Sequence, residues 1–437
     1  MVILISFSRV IVGNFYSSHS YDRVSYNADS AVCIDHTGMI QQILSKTDPN
    51  FSKIIQTAKT EDRLTFLNTN EVLLPGFIDL HIHAPQWPQT GTGLDLPLKE
   101  WLNDYTFPLE AKYANHTFAK KVYSDLVSSL LAHGTTTAVY FGTMHVSANI
   151  ELARQCLNFG QRAFIGQVAM DNPFETPDYY RDSSTSSSLS ATMTFIQKLT
   201  ELTGPSSRLV KPIITPRFVP SCTDDLLEGL GKLAHRFDLP IQTHCSESIW
   251  EHNYAISRFH KHDTAVLDHF GLLTDKAILA HGTQLDETDL QQISNAHAAI
   301  AHCPISNIYF GDGIFTAARA HRYQIDVGLG TDIAGGFSPS LYRNIQQSIM
   351  SSRQLPNQSE NHLTTANAFY LATYGGAKSL GLKTGLIKPG YWADFQIVCL
   401  PDHNDRPASD NNQLERLLYA TTANDIKSVY VAGQQVI

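Results

Sequence analysis

Asp79-Leu80-His81-Ile82-His83 is the first stretch whose residue types could do chemistry. Two histidines one residue apart project to the same side of a strand, so both imidazoles can reach one ion. In a chain with 19 histidines such a pair often arises by chance, and alone it decides nothing. Later stretches add weight. Ile241-Gln242-Thr243-His244 and Ile278-Leu279-Ala280-His281 each end a short apolar run in histidine, and Leu329-Gly330-Thr331-Asp332 ends one in a carboxylate. Four imidazoles and a carboxylate brought together form a donor set that zinc prefers, with iron and manganese as alternatives. Glu247, three residues beyond His244, can face the ion without binding it, and a carboxylate beside an activated water is a suitable proton carrier. His302 also ends an apolar run and is expected to orient or pack rather than ligate.

For these residues to converge, the apolar runs must be neighbouring strands. Runs at 77–81, 136–141, 162–168, 209–214, 241–243, 277–280, 299–301 and 327–329 alternate with helical stretches such as 117–133. Near eight such units, with polar residues gathered at strand ends, predict an α/β fold: a (β/α)8 TIM barrel with its site at the C-terminal face. Strand-like text returns at both chain ends, at 3–12, 31–34, 39–43, 392–400 and 426–431. We expect residues 1–74 and 385–437 to form a small β-sandwich domain and 75–384 to form the barrel. The polar stretches 182–190 and 402–412 are expected to be surface loops, the first of them inert or a lid.

The bulk numbers narrow the class. The 437 residues are 43% hydrophobic and 17% charged, which argues against disorder. A net charge of −9 disfavours a nucleic-acid partner, which would need the opposite balance. No stretch approaches the roughly 20 apolar residues that span a bilayer, so no membrane association is expected. The apolar N-terminus lacks a basic region and is interrupted at Arg9, so a soluble, cytoplasmic protein is expected. The six cysteines are scattered without a C-x-x-C and read as free thiols, Cys245 among them.

With these residues in hand, the chain resembles the amidohydrolase superfamily. Pro75-Gly76-Phe77-Ile78-Asp79-Leu80-His81-Ile82-His83 is similar to its opening signature, and His244, His281 and Gly330-Thr331-Asp332 fall where its later signatures fall. Within it, His83-Ala84-Pro85-Gln86, Pro216-Arg217-Phe218, His244-Cys245-Ser246-Glu247, His302-Cys303-Pro304-Ile305-Ser306-Asn307 and Asp332-Ile333-Ala334-Gly335-Gly336 resemble motifs of the guanine deaminase family. One departure is Ser248, where that family commonly has asparagine after the glutamate.

The resemblance implies one zinc ion per chain, held by His81, His83, His244 and Asp332, with His281 contacting its water and Glu247 shuttling protons. It implies hydrolysis of guanine to xanthine and ammonia, with Asp332 also accepting the water proton. It implies substrate contacts from His83, Ala84, Pro85, Gln86, Arg217, Phe218, Glu247 and Asp332, and a homodimer. Lys211, the nearest strand lysine, is not placed to bridge a second metal. Two alternatives stay open: a related mononuclear hydrolase acting on another aminated or chlorinated heterocycle, and a non-catalytic, metal-stabilised scaffold.

Overall fold

The computed structural model describes residues 7–93, 95–204, 207–400 and 410–437. Eight parallel strands make one sheet in chain order: Phe77–His83, Thr135–Phe141, Arg162–Ala169, Val210–Pro216, Ile241–Cys245, Ala277–His281, Ala299–His302 and Asp326–Leu329. These are the eight runs expected from sequence, most of them a residue or two longer. Seven of them are buried or nearly so along their whole length, which is why they read as apolar runs rather than alternating ones. The fourth carries an exposed Lys211 as its second residue, beside the ring of Phe164. It therefore lies at the opposite end of the strands from the histidines.

The sheet closes through the loop after its last strand. Asp332 N–H donates to the His81 carbonyl (2.8 Å) and His83 N–H to the Ile333 carbonyl (2.9 Å). The connecting helices carry ordinary stop and start chemistry. Asn115 caps His116–Ala132 by accepting from Phe118 N–H, and Thr223 caps Asp224–Phe237, whose first turn is acidic and whose last turn holds His235 and Arg236.

The two chain ends build a second, mixed sheet. Arg9–Ser20 pairs antiparallel with Arg23–Ile34 and parallel with Glu71–Pro75, which in turn pairs with Phe395–Cys399 from the far end of the chain. This continuous sheet folds around a core of its own that includes Phe15, Val32, Leu73, Phe395 and Tyr430. It is locked to the barrel by Arg162 of the third strand. Arg162 Nε and Nη2 donate to Asp394 at 2.9–3.2 Å, and both residues are buried.

Two expected loops need comment. Of residues 182–190 only 182–184 are loop: Ser184 caps the helix Thr185–Thr203, which takes up the rest, through a reciprocal hydrogen-bond pair with Ser187. Serines there serve as a cap, a use that composition alone does not distinguish from a solvated linker. Of 402–412, residues 402–409 lie outside the described residues, and the helix Asp410–Ala420 begins within the remainder. The first residues of the expected strand 3–12 also lie outside them. Among the described residues, no helix is long and apolar enough to cross a membrane.

Candidate active site

His81 and His83 point to one side of the first barrel strand, and His244 and His281 stand at the ends of the fifth and sixth. Asp332 follows the eighth strand by three residues. The backbone turns sharply where these side chains enter the cleft: Ser246, His281 and Asp332 have φ of 50°, 76° and 48°. Non-glycine residues seldom occupy that left-handed region, and they concentrate at functional sites. Asp79 anchors the last turn. Its two oxygens accept from Thr331 N–H (2.9 Å) and Thr331 Oγ (2.5 Å), which holds Asp332 against the first strand. Burial pushes the Asp79 carboxyl up to about 7 even with those donors.

The side chains converge. His81 Nε2 and His83 Nε2 lie 3.1 and 3.4 Å from Asp332 Oδ1, and His83 Nε2 lies 3.0 Å from His244 Nε2. His281 Nε2 is 3.5 Å from Glu247 Oε1 and 4.0 Å from Asp332 Oδ2. Donor atoms of His81, His83 and Asp332 lie within 4.8 Å of one another, as do those of His81, His244 and His281.

Tautomers are set from outside the cleft. His244 Nδ1–H donates to the Arg217 carbonyl (2.6 Å) and His281 Nδ1–H to Asn307 Oδ1 (2.9 Å), so both present a bare Nε2 inward. Burial, then the neighbouring imidazoles, holds His83 and His244 well below the usual histidine range, and burial brings His281 down to about 4. Burial alone would raise Asp332, but the neighbouring His81 and His281 imidazoles outweigh that and keep its pKa low. His81 Nε2 and His281 Nε2 are buried without a hydrogen-bond partner. Orphaned nitrogens around a carboxylate are costly unless a cation satisfies them. Neutral imidazoles with one carboxylate are the form in which a divalent metal is bound, so these residues fit such an ion.

Glu247 lies at the same cleft and is buried. Burial first, then Asp312, Asp332 and Glu251, pushes its carboxyl well above the usual range, so it holds a proton more readily than an ordinary glutamate. Its own N–H donates to Glu251 Oε2 (2.7 Å). Ser248 caps the next helix, Ile249–Phe259, by accepting from Glu251 N–H, a duty that serine performs as well as asparagine.

Beside the histidines is a cavity lined in part by Gln86, Arg217, Phe218, Trp101, Phe310 and Gly335. Gln86, Arg217, Phe218, His83, Glu247 and Asp332 of the expected substrate contacts are brought together there. Ala84 and Pro85 are buried in the turn that carries Gln86 but are not among the lining residues. Phe218 sits 6.0 Å from the His244 ring and 5.6 Å from Trp250. His302 is buried against Phe315, outside the ligand cluster. Cys245 is buried, and burial pushes its thiol well above the ordinary value.

Several residues here were not found from the sequence. Leu98, Trp101 and Leu102 come from the excursion after the first strand, and Phe310 from a loop that follows a short helix. Glu110, in the same excursion, is completely buried against Arg217 and Gln86. A lone glutamate in helical text carries no signal of burial.

The Amidohydrolase family profile matches residues 72–436. A guanine deaminase of Dictyostelium discoideum is 36% identical over 98% of this chain and 98% of its own length. A guanine deaminase of Escherichia coli is 32% identical over 82% of this chain and 81% of its own. A crystal structure of guanine deaminase from C. acetobutylicum, with guanine bound in the active site, superposes with a TM-score of 0.90 at 32% identity, covering 98% and 100% of the two chains. With the strand-end histidines, the closing aspartate and a profile match over most of its length, the chain belongs to the amidohydrolase family.

Proposed function

We propose that this protein is a guanine deaminase that hydrolyses guanine to xanthine and ammonia. The observation that carries the reading is a donor set for one divalent cation opening into the same cavity as Arg217, Gln86 and Glu247. Similarity to the guanine deaminases of other organisms supports the choice of ring. His81, His83, His244 and Asp332 would hold one zinc ion per chain, which when bound lowers the pKa of a water toward about 7.

The chain's own groups do the rest. Arg217 donates to the acceptor edge of the ring, Gln86 donates and accepts beside it, and Phe218 covers a face. Asp332 accepts the proton of the attacking water while the bare Nε2 of His281 orients it. The water oxygen bonds to C2 as Glu247 gives its proton to N3. Glu247 then relays the proton from Asp332 to the exocyclic amine; as the C2–N bond breaks, the C2 hydroxyl gives its proton to Glu247, so ammonia and neutral xanthine leave and Glu247 is protonated again. A raised Glu247 carboxyl suits this work because it must carry a proton at the start.

The same reading assigns 75–384 to the catalytic domain and 1–74 with 385–437 to the β domain, and proposes a cytoplasmic homodimer. The test supplies metal-loaded protein with guanine, adenine, cytosine and a chlorinated triazine. Guanine turnover with equal xanthine and ammonia is expected. Absence of guanine turnover despite stoichiometric metal would sink it, and triazine turnover instead would favour the dechlorinating alternative.

A further inference from the structure

The mechanism above leaves unused a buried carboxylate that touches two lining residues of the cavity, Arg217 and Gln86. Glu110 ends the short helix Phe107–Glu110, in the excursion between the first barrel strand and the helix His116–Ala132. The turn before it, Leu102–Thr106, is a wide π turn, a form that tends to occur at functional sites. Glu110 Oε2 accepts from Arg217 Nη1 (2.7 Å), and Oε1 accepts from both Arg217 Nη2 (3.1 Å) and Gln86 Nε2 (2.9 Å). Gln86 Oε1 accepts in turn from Ala334 N–H (3.1 Å), in the loop that carries Asp332. The Arg217 guanidinium also lies 5.0 Å from the centre of the Phe107 ring.

One carboxylate thus sets the geometry of both proposed recognition groups. A guanidinium gripped by two oxygens cannot swing, and its donors not facing Glu110 point in fixed directions. The Gln86 amide is held at both ends, which leaves it one N–H and one lone pair for a ligand. Charge follows the same logic. Arg217 is 2% exposed. Burial works against its cation, but Glu110 outweighs that and holds it charged. Without Glu110 the arginine would demand an anion from whatever entered the cavity. With it, the pair is neutral, and the arginine has no net positive charge left to offset that of an incoming carboxylate or anionic ring.

We propose that Glu110 is a positioning and specificity residue, which fixes Arg217 and Gln86 for a neutral purine and disfavours anionic rings by cancelling the arginine's charge. The proposal rests on the guanine reading of the cavity. It is tested with Glu110→Gln, Arg217→Met and the double variant, measuring guanine KM and kcat, inhibition by urate (a purine anion at neutral pH), metal content and Tm. Glu110→Gln should raise guanine KM roughly 10- to 100-fold with kcat within about threefold, since the lost contacts serve substrate and transition state alike. It should also tighten urate inhibition by about tenfold, because the arginine is now unmatched. In the Arg217→Met background, Glu110→Gln should raise guanine KM less and tighten urate inhibition less than in the wild type, the remaining change in KM being what Glu110 exerts through Gln86.

If Glu110→Gln alone does not fold, the double variant, with both charges gone, should fold and keep the metal. A double variant that also fails to fold assigns Glu110 to the scaffold and overturns the proposal. Guanine turnover by the wild type, with KM and urate inhibition unmoved in Glu110→Gln, overturns it and leaves the guanine reading standing. A wild type that binds metal and ignores guanine overturns both.

Discussion

Gly335→Ala should damage catalysis through a single added carbon. The new Cβ would lie 2.8 Å from Asp332 Oδ2, 2.9 Å from Ser306 Oγ and 3.0 Å from Phe310 Cε2. An ordinary carbon contact is about 3.5 Å, so these groups must withdraw by roughly half an ångström. Gly335 is not in a positive-φ conformation, so the backbone itself tolerates alanine and the whole effect is crowding. Asp332 cannot yield freely, because its other oxygen sits 3.1 Å from His81 and its backbone is tied to the first strand. Overpacking of this kind costs about 1–3 kcal/mol of stability. Displacing a reacting group by a fraction of an ångström should lower kcat/KM by roughly 10- to 100-fold. Steady-state guanine kinetics at saturating zinc, with metal content by mass spectrometry, provide the assay. Gly336→Ala gives the contrast: its Cβ would meet the Thr331 carbonyl at 2.0 Å, backbone that cannot move aside, so that variant should fail to fold. Wild-type kcat/KM and metal content in Gly335→Ala would refute the claim that Gly335 leaves room for the Asp332 carboxylate.

Glu247→Gln should keep one metal per chain and lose roughly 100- to 10,000-fold in kcat; undiminished turnover would remove the proton shuttle from the account. Chelation should lower Tm, and zinc should restore it in proportion to ln[Zn], because the ion binds a site that exists only in the folded chain. Arg162→Met strands the buried Asp394 charge and should cost about 3–5 kcal/mol in urea unfolding, whereas Arg162→Met with Asp394→Asn should cost less. A thiol reagent at pH 8 should label one cysteine quickly in the native protein, Cys399, and all six after denaturation. The other five are buried, and burial pushes Cys33 and Cys222 up to about 12.

The barrel was legible because parallel strands buried on both faces leave short unbroken apolar runs, and because each catalytic strand ends in a residue its core would not otherwise hold. His244 and His281 carry that signal plainly. The serines at 183–188 misled because a helix cap and a loop draw on the same residues. Glu110 was invisible for a different reason. Its partners, Gln86 and Arg217, lie 24 and 107 residues away, and nothing local separates a buried glutamate from a solvated one. Asp79 was seen only as part of a motif. Its task, holding Thr331 across 252 residues, emerges when the first and last strands meet. Long-range polar pairs of this sort require the fold before they can be read.

The central claim is that one metal and one purine meet at this mouth. It is tested most directly by diffraction at the zinc edge from Glu247→Gln crystals soaked with guanine. The account predicts one anomalous peak about 2.0–2.2 Å from donor atoms of His81, His83, His244 and Asp332, with guanine C2 facing it and O6 toward Arg217. A peak held by other residues, or guanine bound away from Arg217 and Gln86, would contradict it.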